Sequence, residues 1–324
     1  PVKWVEDRLE HLTAASSANN RIVNIEAAVK KDGTVLGMRV DQLDDYGAFL
    51  RSPMPGPLYR MHGALTGAYK TENLYCRNRL VMTNKTPAGL VRGFGGPQMY
   101  YAIERVMHKV AVTLGLDPLD VLRRNLLGPE VFPYKAPAGA LYDSGDYPQA
   151  VDIAVRDGGL EALRKKREEA RAAGRLYGIG YAMVVEPGMS NMGYLSTIVP
   201  VEERAKRGSQ DGAVSMATVN VDALGSVSVT SDTTPQGQGH GTVLSQIVAD
   251  QLGLRPTDIR VNTEHDTHKD PWSIAAGTYS CRFSPGTAVA AQMAGRKVRD
   301  KLTAIAAPML NIPQEQIEFG GGNI

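Results

Sequence analysis

The sequence predicts an α+β protein of two lobes, and three observations carry that prediction. A β-hairpin pattern followed by a glycine-rich loop and an amphipathic helix occurs twice along the 324 residues. A helix-ending phrase recurs as LGLDPLDV at 114–121, LGLRPTDI at 252–259 and LNIPQEQI at 310–317. The length is also sufficient for two substantial cores. A duplicated architecture of hairpin, glycine-rich loop and helix accounts for all three. The expected boundary falls near residue 150, giving lobes at 1–150 and 151–324.

The first hairpin is read from apolar alternation at 23–29 and 35–43, joined by Lys30-Lys31-Asp32-Gly33, since Asp-Gly is a strong turn signal. The next loop, RGFGGPQ at 92–98, is more than half glycine and proline. Glycine there lets another backbone or a ligand come close, and Pro97 suits the first turn of a helix. A helix is predicted over 98–114, with Ala102, Val106, Val110 and Leu114 recurring every four residues and Ile103 and Met107 widening the face. A glycine loop before a helix N-terminus receives anions or oxo groups. This one carries a fixed cation, Arg92, and an aromatic, Phe94. Taken alone, such a loop is as often a simple tight turn.

A second loop of the same design shifts the balance. Hairpin arms at 213–221 and 226–231 precede TPQGQGHGT at 234–242, and a helix is predicted over 242–252 with Val243, Ile247 and Leu252 on one side. Gln236 and Gln238 carry carboxamides that both donate and accept hydrogen bonds, which suits an oxo or pterin ligand better than bare phosphate. A third loop, SIAAGTYSCRFS at 273–284, is made largely of small and hydroxyl residues that admit a ligand to the main chain, and it also serves as a helix cap. The three loops are expected to serve one cleft. Elsewhere, 128–145 reads as an irregular crossover, 149–173 as one charged helix and 316–319 as a strand. Glu264, His265, Asp266 and His268 read as a polar loop rather than a dedicated metal site.

Composition removes several classes. A net charge near +2 gives no reason to expect nucleic-acid binding, and no apolar run is long enough to cross a bilayer. Two cysteines, Cys76 and Cys281, are too few for a disulfide framework or a cysteine-ligated iron–sulfur cluster, and read as reduced thiols of a cytoplasmic protein. Neither glycine loop matches the phosphate-binding or dinucleotide fingerprints. The chain opens at Pro1 inside patterned sequence, and reads as part of a larger polypeptide.

PVKWVEDRLEH at the start, RGFGGPQ with its helix, LDVLRRNLL at 119–127, GQGH in the second loop and GTYSCR at 277–282 stand in the order found in the molybdenum hydroxylases. The chain resembles the molybdopterin-binding subunit of that family of xanthine dehydrogenases, aldehyde oxidases and aerobic carbon monoxide dehydrogenases. The resemblance implies a molybdopterin-type molybdenum cofactor, the cytosine dinucleotide form being one variant, and oxidation of an aldehyde or aromatic N-heterocycle with oxygen from water. It also implies partner subunits carrying 2Fe-2S clusters and FAD.

Transferred by position, Arg92 and Gly93 would lie against the molybdenum ligands, as would Ala276. Gln236, Gly237, Gln238 and Gly239 would contact the cofactor, with Gly277, Thr278, Ser280 and Arg282 forming a third wall. Phe94 would pack on a flat substrate, and Glu186 lies where relatives line the substrate pocket. There are departures. The first loop reads Gly89-Leu90-Val91-Arg92-Gly93, without the cysteine of the copper-dependent carbon monoxide enzymes. The family's base glutamate belongs to a motif beyond Ile324, so no catalytic base is assigned in this chain, and a separate chain completing the molybdenum site is one arrangement this allows. A non-catalytic cofactor-binding or assembly module is the alternative reading.

Overall fold

Lys30-Lys31-Asp32-Gly33 forms the turn its sequence predicts. In the computed structural model, Lys30 N–H donates to the Thr34 carbonyl at 2.9 Å and Gly33 N–H to the Lys30 carbonyl at 3.0 Å, with Gly33 at φ 88°. The turn joins β1 (Asn20–Val29) to an antiparallel β2 (Val35–Asp45). The structure describes residues 2–50, 58, 62–89, 91–186, 188, 215–264, 266, 268–270 and 281–324. Both arms outrun the apolar alternation, because polar pairs such as Arg21 opposite Asp44 continue the ladder. A third strand, β3 (Asn73–Val81), lies parallel to β2. Its polar run Arg77-Asn78-Arg79 hides it from the apolar pattern.

Helix α1 (Arg8–Ala14) precedes the hairpin and buries none of its residues, its start fixed by a capping box between Asp7 and Glu10. Helix α2 (Gly96–Leu114) packs against the sheet residues through Met99, Ile103, Met107, Val110 and Ala111. Of the expected face, Ile103, Met107 and Val110 are buried, whereas Ala102, Val106 and Leu114 are only half-buried. A strict spacing of four drifts around an α-helix by about 40° per step, whereas alternating threes and fours stay on one side. Helix α3 (Pro118–Asn125), capped by Asp117, delivers the buried Asn125 to the hairpin turn. Its amide donates to the Gly33 carbonyl at 2.9 Å and accepts from Val35 N–H at 2.8 Å.

The expected charged helix over 149–173 is two helices, α4 (Tyr147–Asp157) and α5 (Leu160–Ala172). Gly158-Gly159 separates them, Gly159 taking the left-handed φ of 62° that ends a helix cleanly. Between α3 and α4 only the two-residue strands β4 (Tyr134–Lys135) and β5 (Leu141–Tyr142) pair, in keeping with an irregular crossover. By contacts the chain divides into Pro1–Val185 and Glu186–Ile324. That division lies beyond residue 150 because Val151 and Leu160, on α4 and α5, are buried in the first unit's core, with Ile179, Tyr181, Met183 and Val185 packed on it too.

The second unit repeats the hairpin. β6 (Ala217–Val221) and β7 (Val227–Ser231) pair antiparallel across a turn with the geometry of the first. Asp222 N–H donates to the Ser226 carbonyl, Gly225 N–H donates to the Asp222 carbonyl, and Gly225 sits at φ 83°. Residues 213 and 214 of the expected arm lie outside the described residues. Helix α6 (His240–Leu252) then leads to β8 (Ile259–Asn262), parallel to β7. Here too the buried face, Leu244, Val248, Ala249 and Leu252, is turned one residue from Val243 and Ile247. After a π-helical turn, Phe283–Ala288, helix α7 (Val289–Leu310) packs Ala291 into the same core. The strand expected at 316–319 is absent. Gln314–Gln316 is a 3₁₀ turn and Gly320 makes only a bridge to Asn323.

The recurring phrase is a helix stop. At each occurrence a residue in the left-handed region ends the helix: Gly115 at φ 70°, Gly253 at 64° and Asn311 at 54°. The next residue's N–H reaches back five positions, Leu116 to Ala111, Leu254 to Ala249 and Ile312 to Ala307. This is the Schellman cap, with proline soon after because the helix is over. The next element differs: helix α3 after the first stop, strand β8 after the second.

The two glycines predict different costs. A Cβ on Gly115 meets nothing within 4 Å, whereas on Gly253 it falls 2.4 Å from the Phe319 backbone. Gly115→Ala should lose about 1 kcal/mol to backbone strain alone, because a left-handed φ brings Cβ against the following carbonyl. Gly253→Ala should lose more, read as a larger fall in the urea midpoint by circular dichroism. Equal losses would show that the Phe319 contact yields freely.

Candidate functional site

The RGFGGPQ loop is two overlapping turns. Phe94 N–H donates to the Val91 carbonyl and Gly96 N–H to the Gly93 carbonyl, both at 2.8 Å. Three successive residues are left-handed: Gly93 at φ 92°, Phe94 at 38° and Gly95 at 84°. Positive φ at a phenylalanine is strained backbone, the kind found where a loop's shape matters more than its stability. A Cβ on Gly93 would also lie 2.7 Å from the Pro97 ring, and one on Gly96 would lie 2.9 Å from the Tyr100 ring, which would have to shift. Gly95 caps α2 with no side-chain cap bond, and of the first two helical residues Gly96 gives its N–H to the Gly93 turn while Pro97 has none. Arg92 is exposed and makes no ion pair among the described residues.

A buried polar chain supports this loop from behind. Arg21 grips Asp44 through two hydrogen bonds of 2.5 and 2.8 Å, with both side chains sealed from solvent. Asn19 donates to the same carboxylate at 2.8 Å, and Gln98, three residues past Gly95, donates to Asn19. The end of β2 thus holds the start of α2.

The second loop has the same design. Gly237 at φ 102° and Gly239 at 79° are left-handed, and Gly239 caps α6 with no side-chain cap bond. A Cβ built on Gly237, Gly239 or Gly241 meets nothing within 4 Å, so the space over this backbone is open. Gln236, Gly237, Gln238 and Gly239 are all exposed, and Gln238 Oε1 accepts from Gln236 N–H at 2.5 Å.

Of the third loop, Ala276, Gly277, Thr278 and Ser280 lie outside the described residues. Arg282 is placed, and it faces inward. Its guanidinium is 3.1 Å from Asp232 and donates to Ser215 at 2.6 Å, with both members of the ion pair fully buried. The resemblance implied a reach toward phosphate, but this geometry turns the guanidinium into the second core. Glu186 is exposed.

The sequence reading missed Arg21, Asp44, Asp232, Thr233 and Phe283. Only Asp232, a lone carboxylate between an apolar strand and a glycine loop, offered a signal. Thr233 Oγ1 and His240 Nδ1 lie 3.0 Å apart, and the His240 ring stacks on Phe283 at 3.8 Å between centroids. Burial pushes the imidazole pKa below its ordinary 6.5.

Each loop sets bare backbone beside a helix start with no side-chain cap, the first with an exposed guanidinium and the second with two exposed carboxamides, groups that suit anionic or oxo ligands. Residues 1–126 and 154–324 each match a family model described as a molybdopterin cofactor-binding domain. The chain belongs to the molybdenum hydroxylase family. It is 34% identical over 329 residues to the carbon monoxide dehydrogenase large chain of Afipia carboxidovorans, covering 98% of this chain and 39% of that one. It is 32% identical to the nicotine 6-hydroxylase large subunit of Paenarthrobacter nicotinovorans, covering 99% and 38%. Its fold matches the quinoline 2-oxidoreductase of Pseudomonas putida 86 with a TM-score of 0.82 at 29% identity, covering 98% and 39%. The chain therefore spans about two fifths of the length of these molybdenum hydroxylase relatives. No helix among the described residues is long and apolar enough to cross a membrane.

His240 predicts a pH response of the second unit. Its folded pKa lies below the unfolded 6.5, so its contribution to stability is complete above 6.5 and is lost as pH falls through that value. Between pH 7.5 and 5.5 the urea midpoint of the wild-type chain should drop, and His240→Gln should flatten that drop. An unaltered slope in the variant would place the effect on other groups.

Proposed function

We propose that this chain is the cofactor-binding part of a molybdenum-dependent oxidoreductase that oxidises an aldehyde or an aromatic N-heterocycle with oxygen from water. The observation that carries the reading is the pair of left-handed glycine loops, one in each cofactor-binding domain, each at an uncapped helix start. Two such loops of matched design are more than one phosphate needs. A molybdopterin-type cofactor, in its simple or its cytosine dinucleotide form, presents the oxo and pterin edges that such loops hydrogen-bond.

When bound, the cofactor supplies the two-electron chemistry and the oxygen transfer. The chain's own residues bind and orient. Arg92 neutralises anionic groups and the Gly95 N–H, beside the start of α2, hydrogen-bonds oxo groups. Gln238 offers a donor and an acceptor at once, so it matches a pterin edge or an oxo group without a change of protonation. Ala276 and Gly277 admit close approach by having almost no side chain, with hydroxyls from Thr278 and Ser280 beside them. Phe94 and Glu186 address the substrate, Phe94 through its ring face. No residue of this chain is assigned as the base. Electrons pass to partner subunits bearing 2Fe-2S clusters and FAD, in a cytoplasmic assembly.

Metal analysis and pterin fluorescence on the intact assembly test the reading directly. Stoichiometric molybdenum and a released pterin are expected, and Gly93→Ala and Gly239→Ala should each lower both. An assembly with neither metal nor pterin refutes it.

Phe94→Ala separates substrate classes. Aromatic contacts contribute on the order of 1 kcal/mol beyond burial, about a fivefold effect. Per bound molybdenum, turnover of a flat heterocycle should fall by about that factor more than turnover of a small aliphatic aldehyde. An equal fractional loss for both would make Phe94 a plug of the loop instead.

A further inference from the structure

The second glycine loop leaves the core at Asp232 and returns at His240, and both legs are held by consecutive residues of one distant segment. Arg282 takes the Asp232 leg through a buried ion pair, and Phe283 takes the His240 leg through a parallel ring stack. Thr233 and His240 close the neck between the legs at 3.0 Å, with both side chains buried. The holding segment is itself specialised. Cys281 is left-handed at φ 49°, and a π-helical turn, Phe283–Ala288, intervenes before α7 begins. Single π turns inside helices recur at functional sites because the extra residue re-aims the side chains around it. Thr287, on the same turn, adds a contact of 3.5 Å to Asp232.

We propose that Asp232, His240, Arg282 and Phe283 form a clamp that presets the conformation of loop 234–239, so that cofactor retention depends on the clamp and not only on the exposed glutamines. The inference rests on the cofactor reading above. The four are positioning residues, and none of them contacts the ligand in this scheme.

The physical argument is one of preorganisation. Residues 236–239 are exposed and two of them are left-handed glycines, so little beyond the Gln236 N–H to Gln238 Oε1 bond holds the loop's shape from within. A loop of free glycines would lose conformational entropy on binding, at about 1–2 kcal/mol per residue fixed. Pinning both ends at the neck removes much of that freedom beforehand. The buried ion pair has directional geometry and the ring stack has little tolerance for sliding, so together they fix the separation and the orientation of the two legs. A purely apolar neck would fix separation alone.

The test uses Phe283→Leu, Phe283→Tyr and Asp232→Asn in the intact assembly. Amide hydrogen exchange is followed at 236–241 and, as an internal reference, at 247–252 near the end of α6. Phe283→Leu and Asp232→Asn should speed exchange at 236–241 by about tenfold while 247–252 changes much less. Molybdenum and pterin per polypeptide should fall by about fivefold or more, and Phe283→Tyr, which keeps the stack, should restore both readouts. Exchange that rises equally in the two segments overturns the clamp, because the residues would then serve global stability alone. Faster local exchange with undiminished pterin overturns its role in retention. A wild-type assembly without pterin would count against the cofactor reading, and the exchange comparison would still decide whether these residues preset the loop.

Discussion

One constraint recurs in both units: a carboxylate sealed from water at the end of the second hairpin strand, paired with an arginine that is equally sealed. Asp44 with Arg21 occupies this position in the first unit and Asp232 with Arg282 in the second. A buried ion pair is poor evidence of net stabilisation, since desolvating two charges costs several kcal/mol that their attraction only roughly offsets. Its value lies in what it forbids. Any conformation that separates the partners leaves a naked charge in the core, so the segments bearing them are locked in one arrangement. In the second unit one of those segments runs directly into the glycine loop, and in the first the locked pair reaches the loop through a neighbouring side chain. Gln98 ties α2 to the Asp44 cluster through Asn19, and the loop before α6 begins two residues past Asp232.

This explains how strained, bare backbone can persist at the loops. Left-handed Phe94 and the run of left-handed glycines are costly or floppy by themselves. They hold their shape because a rigid polar anchor stands immediately behind each. The apolar cores do a separate job. Met99, Ile103 and Met107 in one unit, and Leu244 and Val248 in the other, hold each helix against its sheet without specifying where the loop begins.

Much of this was legible in the sequence, and the illegible part has a pattern. Both hairpins, the first two loops and the helices after them emerge from turn signals, glycine content and apolar spacing. The helix faces were legible in part: Ile103, Met107, Val110 and Leu252 are buried as expected, but counting every fourth position also favours a row that spirals off the buried side. β3 and the ends of β1 and β2 went unseen since their ladder continues through Arg77, Arg21 and Asp44, which an apolar pattern treats as loop. The break at Gly158-Gly159 was written in the sequence, but the charged run around it dominated the reading. The anchors were the least legible of all. Asp232 and Arg282 lie fifty residues apart, and nothing local says that two ionised groups will be buried together.

The repeated helix stop shows how far local rules reach. Leu-Gly-Leu and Leu-Asn-Ile dictate the same cap three times, down to the same backward hydrogen bond. They do not dictate the element after the cap. After Gly115 the chain enters α3, where Leu119, Val121 and Leu122 find the first core. After Gly253 the comparable stretch becomes β8, whose ladder with β7 satisfies its backbone and buries Ile259. Proline stands at the head of both and permits either outcome, having no N–H to offer the helix it starts or the turn it opens. The choice is made by the neighbour available: a free edge beside β7 in the second unit, an edge already filled by β3 in the first. A common local grammar therefore yields two related folds, and the difference between them traces to a single parallel strand placed before the loop in one unit and after it in the other.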